Sequence, residues 1–135
     1  MKFLKAKLVV KLIEFFEKDF RRIEHDLSVL YESEKIVENR EAFDRDIVIS
    51  CALLHDVGIK ISEEKFGYNN GKTQEEFGPP IAENILYEIG LESEKIVKVK
   101  QIIANHHSPS RYDYIELEIL KEADRIINTK EKNNA

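Results

Sequence analysis

The sequence is poor in cysteine and in the residues that interrupt helices. Of its 135 residues, one is cysteine, three are proline and five are glycine. The single cysteine, Cys51, excludes an internal disulfide bond, which favours a reducing compartment, so we expect a cytoplasmic protein. The glycines and prolines are concentrated between Gly58 and Pro80, which leaves long stretches on either side free to form helices.

No segment is apolar over the length that would cross a bilayer. The stretch 47–54 is apolar, but a membrane-spanning helix needs roughly 20 such residues. The amino terminus mixes acidic residues with lysines, and its apolar residues recur at helical spacing, which does not fit a secretion signal. Because repeats and shifts in composition are also absent, we expect a single domain over residues 1–135, with a core at about 19–127 and a polar, frayed tail at 129–135.

The chain also lacks the positive charge that a nucleic-acid-coating surface needs. It has 26 Asp and Glu against 21 Lys and Arg, a net charge of -5, whereas contacts along a phosphate backbone need clustered Lys and Arg. Gly-rich phosphate loops, nucleophile elbows and paired-cysteine zinc sites are absent as well. A small phosphorylated ligand stays compatible with an acidic protein when a metal ion supplies the local positive charge.

Apolar residues recur at helical spacing through most of the chain, and no strand pattern persists. We therefore predict an all-α, single-domain bundle of about six helices, at 3–17, 19–39, 45–57, from Pro79 and Pro80 to before Gly90, 92–107 and 113–128. The third contains the apolar run IVISCALL and should be the buried central helix, with Gly58 as a C-cap at positive φ. Residues 62–77 are predicted to form an irregular surface loop or lid.

Three of the candidate metal ligands are a histidine in the second predicted helix and a His-Asp pair. His25 shares a helical face with Val29 and Ile36, so we expect its side chain to point inward. His55 and Asp56 end the apolar helix, where a buried carboxylate is costly unless it is paired or coordinated. Each residue also has an ordinary explanation, as a hydrogen-bonded core histidine or as a group that interacts with the helix end.

Asp124 is the fourth candidate, since it follows Leu120 and Leu117 at helical intervals on the last predicted helix. Taken alone, it would be an ordinary carboxylate paired with a basic residue. As a set, two imidazoles and two carboxylates fit one divalent metal ion such as Mn, Fe, Co, Ni, Zn or Mg, without selecting among these metals.

Three further residues are candidates for contacts with a substrate. His106 continues a buried helical stripe with His107 at its edge, and the pair fits a polar helix end as well as groups that face the metal. Lys60 lies just beyond the His-Asp pair and could reach a phosphate, although a solvated loop lysine is the more common case. Cys51 lies within the apolar run and is expected to be a buried, unreactive thiol.

These residues and their surroundings resemble the HD-domain superfamily of metal-dependent phosphohydrolases. That family has a first histidine, a His-Asp dipeptide and a distant aspartate on a helical bundle. The matching segments, over about residues 19–127, are RIEHDLSVLYESEKIV with His25, ALLHDVGIK with His55 and Asp56, and KEADRI with Asp124. The resemblance implies hydrolysis of a phosphate ester or anhydride, nucleotides included.

The sequence departs from the family pattern at Gln74. The segment QEEFGPPIAENIL is similar to one that begins, in many members, with a further histidine that contacts metal or phosphate, and Gln74 occupies that place. We therefore expect one metal ion rather than two, and no segment matches the longer signature of the two-metal cyclic-di-nucleotide phosphodiesterases. The pair His106 and His107 does match a histidine position seen in many members.

The resemblance implies that a metal-activated water attacks the phosphorus. Asp56 would be a ligand and a proton acceptor, His106 or His107 would protonate the leaving oxygen, and Lys60 and the two histidines would contact the substrate. Two alternatives stay open, a non-catalytic metal- or nucleotide-binding regulatory module and a metal-free helical protein. A monomer and a homodimer fit the sequence equally well.

Overall fold

The structure is a computed structural model that describes residues 1–134, and over those residues it contains seven helices and no strand. The helices are α1 (Leu4–Phe16), α2 (Phe20–Val37), α3 (Arg45–Leu54), α4 (Gly58–Phe66), α5 (Gly71–Ile89), α6 (Ser93–Ile103) and α7 (Ile115–Asn133). The predicted all-α bundle is confirmed. None of the helices in the described part of the chain is both long enough and apolar enough to cross a membrane.

Helix α3 is the central helix, as its apolar run predicted. Every residue from Ile47 to Leu54 is buried, and α3 packs against α1, α2, α5, α6 and α7. A helix that is apolar on all sides is stable only when other helices surround it. Cys51 is completely buried, and burial raises the pKa of its thiol, as expected of an unreactive cysteine. The end of α3 delivers His55 and Asp56 into the interior, where they are 1% and 4% exposed.

The prediction of a loop over residues 62–77 is wrong, because α4 and the first part of α5 occupy most of this segment. Helix α5 begins at a capping box, in which Asn70 Oδ1 accepts the Thr73 N–H at 2.9 Å and Thr73 Oγ1 accepts the Asn70 N–H at 3.0 Å. Pro79 and Pro80 consequently lie inside α5 rather than in the first turn of a helix. A loop-like composition was outweighed here by a helix start with matched polar side chains.

Gly58 is the first residue of α4 and not a C-cap at positive φ; the described glycines with positive φ are Gly67 and Gly90. Gly58 is needed for a close approach of two helices instead. A Cβ atom at Gly58 would lie 2.7 Å from the backbone nitrogen of Gly78 and 2.9 Å from the carbonyl oxygen of Gln74. The absence of a side chain therefore lets α4 pack backbone to backbone against α5.

Helix α7 continues to Asn133, so the prediction of a frayed tail from Thr129 is wrong for the described part of that tail, and residue 135 lies outside the described residues. Lys130 and Lys132 lie in the last turn of α7, where positive charge interacts favourably with the helix dipole. Helix α7 also packs along α2, which extends its contacts beyond the apolar core. This packing brings α7 next to His25.

Candidate metal centre

The bundle brings the four predicted metal ligands to one place from α2, α7 and the end of α3. Asp124 Oδ1 lies 3.1 Å from His25 Nε2 and 3.4 Å from His55 Nε2, and the two imidazole centroids are 5.5 Å apart. Ligand atoms of His25, His55 and Asp56 lie within 4.8 Å of one another. The four residues predicted from the sequence therefore meet in space, although they span a hundred positions of the chain.

Asp26 also lies at this centre, and sequence analysis missed it. It belongs to the same 4.8 Å cluster as His25, His55 and Asp56, and it is fully buried. Within residues 1–134, neither of its carboxylate oxygens has a hydrogen-bond partner. The signal was present in the sequence, because Asp26 lies three residues after Ile23 and four before Leu30, on the buried stripe of α2.

The two carboxylates beside His55 face different sides of its ring. His55 Nδ1 donates a hydrogen bond to the carbonyl oxygen of Ala52 at 2.9 Å and lies 3.9 Å from Asp26 Oδ1. Asp124 faces Nε2 and is not part of the 4.8 Å cluster that contains Asp26. Because Nδ1 carries the hydrogen, Nε2 is the nitrogen of His55 that is free to bind a metal. This favours Asp124 over Asp26 as the carboxylate nearest to the ion.

The pKa values at the centre report an excess of negative charge. Burial and the neighbouring charge of Asp56 raise the pKa of Asp26 well above its usual range. Burial alone would lower the pKa of His55, but Asp56 and Asp124 outweigh it and raise the value to about 9. At Asp124, burial is likewise outweighed, here by the hydrogen bonds with His25 and His55, and its pKa is lowered. The carboxylates thus hold protons on the imidazoles, in the place where a cation would compensate them.

A divalent metal ion fits this donor set. Asp56 Oδ1 and both oxygens of Asp26 are buried and, within the described chain, accept no hydrogen bond. Buried carboxylate oxygens without donors are costly, and such groups are normally paired or coordinated. Two imidazoles and several carboxylates are also the ligands that first-row divalent metals take up. His25, His55, Asp56 and Asp124 are the residues that could hold the ion.

The predicted histidine pair lies beyond the end of α6, which stops at Ile103 and not at residue 107. His106 is buried behind His55, with ring centroids 5.6 Å apart, and its Nδ1 donates to the Ile103 carbonyl at 2.6 Å. Burial lowers the pKa of His106 to about 3, so this imidazole is neutral near neutral pH. That state does not support the predicted role of His106 as proton donor.

His107 differs from His106 because it lines the cavity at the centre. Its Nε2 donates to Gln74 Oε1 at 2.8 Å, and its backbone N–H donates to Glu75 at 2.9 Å. Burial also lowers the pKa of His107. Gln74, which we expected at the place of a further family histidine, therefore lines the cavity and holds the ring of His107.

A cavity of about 360 Å³ lies over the candidate ligands. Exposed residues such as Arg21 and Glu131 line it, so it opens to solvent. The lining comprises Arg21, Arg22, His25, His55, Asp56, Ile59, Asn69, Gln74, His107, Asp124, Asn128 and Glu131. Eleven of these twelve residues, all except Ile59, have polar or charged side chains, which suits a charged ligand better than an apolar one.

Lys60 does not line this cavity. Its Nζ donates to the carbonyl oxygen of Phe15 at 3.0 Å and lies 5.2 Å from the centroid of the Phe15 ring. Its predicted phosphate contact is therefore not supported by its position. The basic residues that line the cavity are Arg21 and Arg22, which sequence analysis missed. Their spacing in the sequence could have indicated them, because they precede His25 by four and three residues and so share its side of α2.

Comparison with known proteins assigns the family. The HD domain matches residues 22–129 of this chain, so the chain belongs to the HD-domain superfamily, as His25, His55, Asp56 and Asp124 predicted. An uncharacterised protein of Clostridium beijerinckii is 27% identical over an alignment of 116 residues, and the match covers 82% of this chain and 69% of that protein. The crystal structure of a predicted HD superfamily hydrolase from an uncultured Thermotogales bacterium superimposes with a TM-score of 0.69 at 26% identity. The match covers 90% of this chain and 66% of that one.

Proposed function

We propose that this protein is a metal-dependent phosphohydrolase that cleaves a phosphate ester or anhydride bond in a small substrate, with nucleotides in the candidate range. The observation that carries the proposal is the meeting of two imidazoles and several buried carboxylates beneath an open cavity of about 360 Å³. Membership of the HD-domain superfamily and the hydrolase name of the solved relative support it.

His25, His55, Asp56 and Asp124 would hold the metal, and Asp26 would add negative charge on the Nδ1 side of His55. A bound divalent ion lowers the pKa of a water molecule and offsets charge on the phosphoryl oxygens. Asp56 is the proposed proton acceptor, because it adjoins the other ligands and its buried Oδ1 has no donor among residues 1–134.

Arg21 and Arg22 are the proposed phosphate-binding residues. Arg22 is held in place by two carboxylates, since Nη1 lies 2.8 Å from Asp19 Oδ2 and Nη2 lies 3.2 Å from Glu63 Oε2. Arg21 is exposed at the cavity and is therefore the more mobile of the two. A guanidinium group binds the oxygens of a phosphate in a bidentate arrangement, which orients the substrate as well as attracting it.

His107 is the histidine of the pair that we assign to the substrate. Its lowered pKa favours the neutral imidazole, which carries a single N–H. Because Gln74 Oε1 accepts the Nε2–H at 2.8 Å, Nδ1 is the acceptor nitrogen, suited to accepting a hydrogen bond from a substrate hydroxyl group or a water molecule.

The test combines metal analysis with a broad panel of phosphate esters and anhydrides. We expect about one metal ion per chain, and hydrolysis of at least one substrate that is lost in Asp56→Ala and Asp124→Ala. Asp113→Ala is the matched control, because Asp113 is an exposed aspartate that does not line the cavity. Absence of hydrolysis across the panel with the metal fully loaded would refute the proposal.

The second candidate function is a non-catalytic metal-binding or nucleotide-binding regulatory module. The observation that favours it is Asp26, which raises the number of side chains near the centre to five. Five protein ligands would leave little room for the water that hydrolysis needs. Water-proton relaxation of the Mn²⁺-loaded protein separates the two candidates, because a fast-exchanging bound water is expected of the hydrolase and its absence is expected of the module.

A further inference from the structure

The three buried or partly buried histidines at the centre are held at Nδ1 in two different ways. His55 and His106 each donate from Nδ1 to the carbonyl oxygen three residues earlier, those of Ala52 and Ile103. These carbonyls are available because each histidine follows the end of a helix, where the last carbonyl groups lack partners within the helix. Local structure alone therefore fixes the orientation of these two rings.

His25 cannot be held in this way, because it lies in the middle of α2, where the carbonyl groups are used by the helix itself. Its Nδ1 instead lies 2.9 and 3.0 Å from the two carboxylate oxygens of Glu131. Glu131 is 106 positions away in the sequence and belongs to the last turns of α7. The ring of the first histidine is thus held from a different helix.

Helix α7 supplies both carboxylates that contact His25. Asp124 faces Nε2 at 3.1 Å and Glu131 faces Nδ1. The two residues are seven positions apart, which places them on the same side of a helix, two turns from each other. Ile127, between them on this side, is buried against the core and keeps this part of α7 in place.

We propose that Glu131 is a positioning residue for His25. By accepting the Nδ1–H hydrogen bond it fixes the ring so that Nε2 is the nitrogen aimed at the metal position, as carboxylates commonly do for metal-binding histidines. This inference rests on the metal site of the proposed function. From Asn128 onward, the last turns of α7 carry only polar and charged residues. Positioning of His25 would be a function for this part of the helix.

The competing explanation is an ordinary surface contact, since the Glu131 side chain is 47% exposed. Two features argue for positioning. The His25 side chain is only 13% exposed, and both Glu131 oxygens converge on a single nitrogen. Glu131 also lines the cavity itself, so its removal would alter the site and not a remote surface.

The experiment is a Co²⁺ titration of the full chain, with affinity measured by competition against a chelator and geometry followed by the visible absorption of Co²⁺. Glu131→Gln and Glu131→Ala should weaken Co²⁺ binding by about tenfold to a hundredfold. Glu122→Gln is the matched control, because Glu122 lies on the same helix, is 44% exposed and contacts Arg40 at 3.8 Å, outside the cavity. It should bind Co²⁺ as the wild type does.

A double-mutant cycle tests whether Glu131 acts through His25. In a His25→Ala background, Glu131→Gln should cause no further loss of Co²⁺ affinity. A Glu131→Gln variant that binds Co²⁺ as tightly as the wild type would overturn the inference, and so would an equal loss with and without His25. Wild-type protein that binds no Co²⁺ would overturn the proposed function together with this inference, whereas an unaffected Glu131→Gln overturns only the inference.

Discussion

Carboxylates are buried at several places in the described part of this bundle, and they differ in how the chain compensates them. Glu32 lies beside Lys35 and Lys130, and the clearest contrast is between Glu116 and Asp26. Glu116, at the start of α7, is 3% exposed, and its Oε1 lies 2.9 Å from Lys98 Nζ while its Oε2 accepts the backbone N–H of Asp44 at 2.8 Å. Asp26, at the candidate metal centre, is fully buried, and in the described structure its carboxylate accepts no hydrogen bond. The oxygen Oδ1 of nearby Asp56 has none either.

The comparison shows that burial of a charged group is not in itself a mark of function. Glu116 ties the start of α7 to α3 and α6, and its charge is balanced within the fold. At Asp26 and Asp56 the raised pKa values of Asp26 and His55 mean that bound protons balance the charge in the metal-free protein, and a metal ion could take their place without a change of fold. The informative feature is therefore that no lysine or arginine of the described chain forms an ion pair with these two carboxylates.

The largest expected effect concerns the pH dependence of the metal-free protein. Because the pKa of His55 is raised to about 9 from 6.5, the native state binds more protons than the unfolded chain between these values. The stabilisation by His55 is complete below pH 6.5 and is lost as the pH rises to 9, by an amount on the order of 3 kcal/mol.

The contribution of His106 to stability has the opposite dependence on pH. Its pKa is lowered to about 3, so the unfolded chain binds the extra proton and stability rises as the pH increases from about 3 to 6.5. Urea unfolding in EDTA across pH 4 to 9, with NMR titration of the histidines, measures both. A free energy of unfolding that keeps rising above pH 7 would contradict the excess of negative charge at the centre.

The next effect concerns the compensated carboxylate. Lys98→Met leaves Glu116 buried with only one donor and should lower the free energy of unfolding by about 2 kcal/mol, less than for a fully buried pair since Lys98 is partly exposed. Urea unfolding with EDTA and with added Co²⁺ should give the same loss, because this pair lies away from the cavity.

Lys100→Met is the control for that measurement. Lys100 has nearly the same side-chain exposure, 33% against 31% for Lys98, but its partner Glu83 is 48% exposed. An exposed pair of this kind contributes about 0–1 kcal/mol. Equal losses of stability in the two variants would mean that Glu116 is as well solvated as Glu83. Glu116 would then no longer serve as the example of a buried carboxylate that the chain compensates.

The smallest effect concerns the uncompensated carboxylate. Asp26→Asn keeps the shape of the side chain but removes a buried carboxyl whose ionisation is unfavourable, since burial and Asp56 raise its pKa. It should therefore stabilise the metal-free protein near neutral pH by about 1 kcal/mol. The same change should reduce the rise in melting temperature that Co²⁺ produces, because less negative charge then faces the ion. A loss of stability in EDTA would show that the Asp26 carboxyl has a favourable partner and is not a strained group.

Much of the site could be predicted from the sequence, because its strongest signals are local. The apolar run that ends in His55 and Asp56 is visible without any knowledge of the fold, and Asp124 lies at helical spacing from buried leucines. The prediction that Lys60 contacts the substrate also used a local signal, its proximity in sequence to His55. That proximity does not fix the side of α4 from which the Lys60 side chain projects.

The sequence alone determined the all-α class, the central helix and the four candidate metal ligands, because each depends on periodicity or on a short motif. Only the tertiary structure showed that residues 62–77 are largely helical, with α5 starting at the capping box of Asn70 and Thr73 and α4 packing closely on α5 at Gly58. It also decided where Asp26 and Glu131 lie relative to His25 and His55. Both depend on the packing of α2 against α3 and α7, and contacts between residues distant in the chain leave no periodic signal in the sequence.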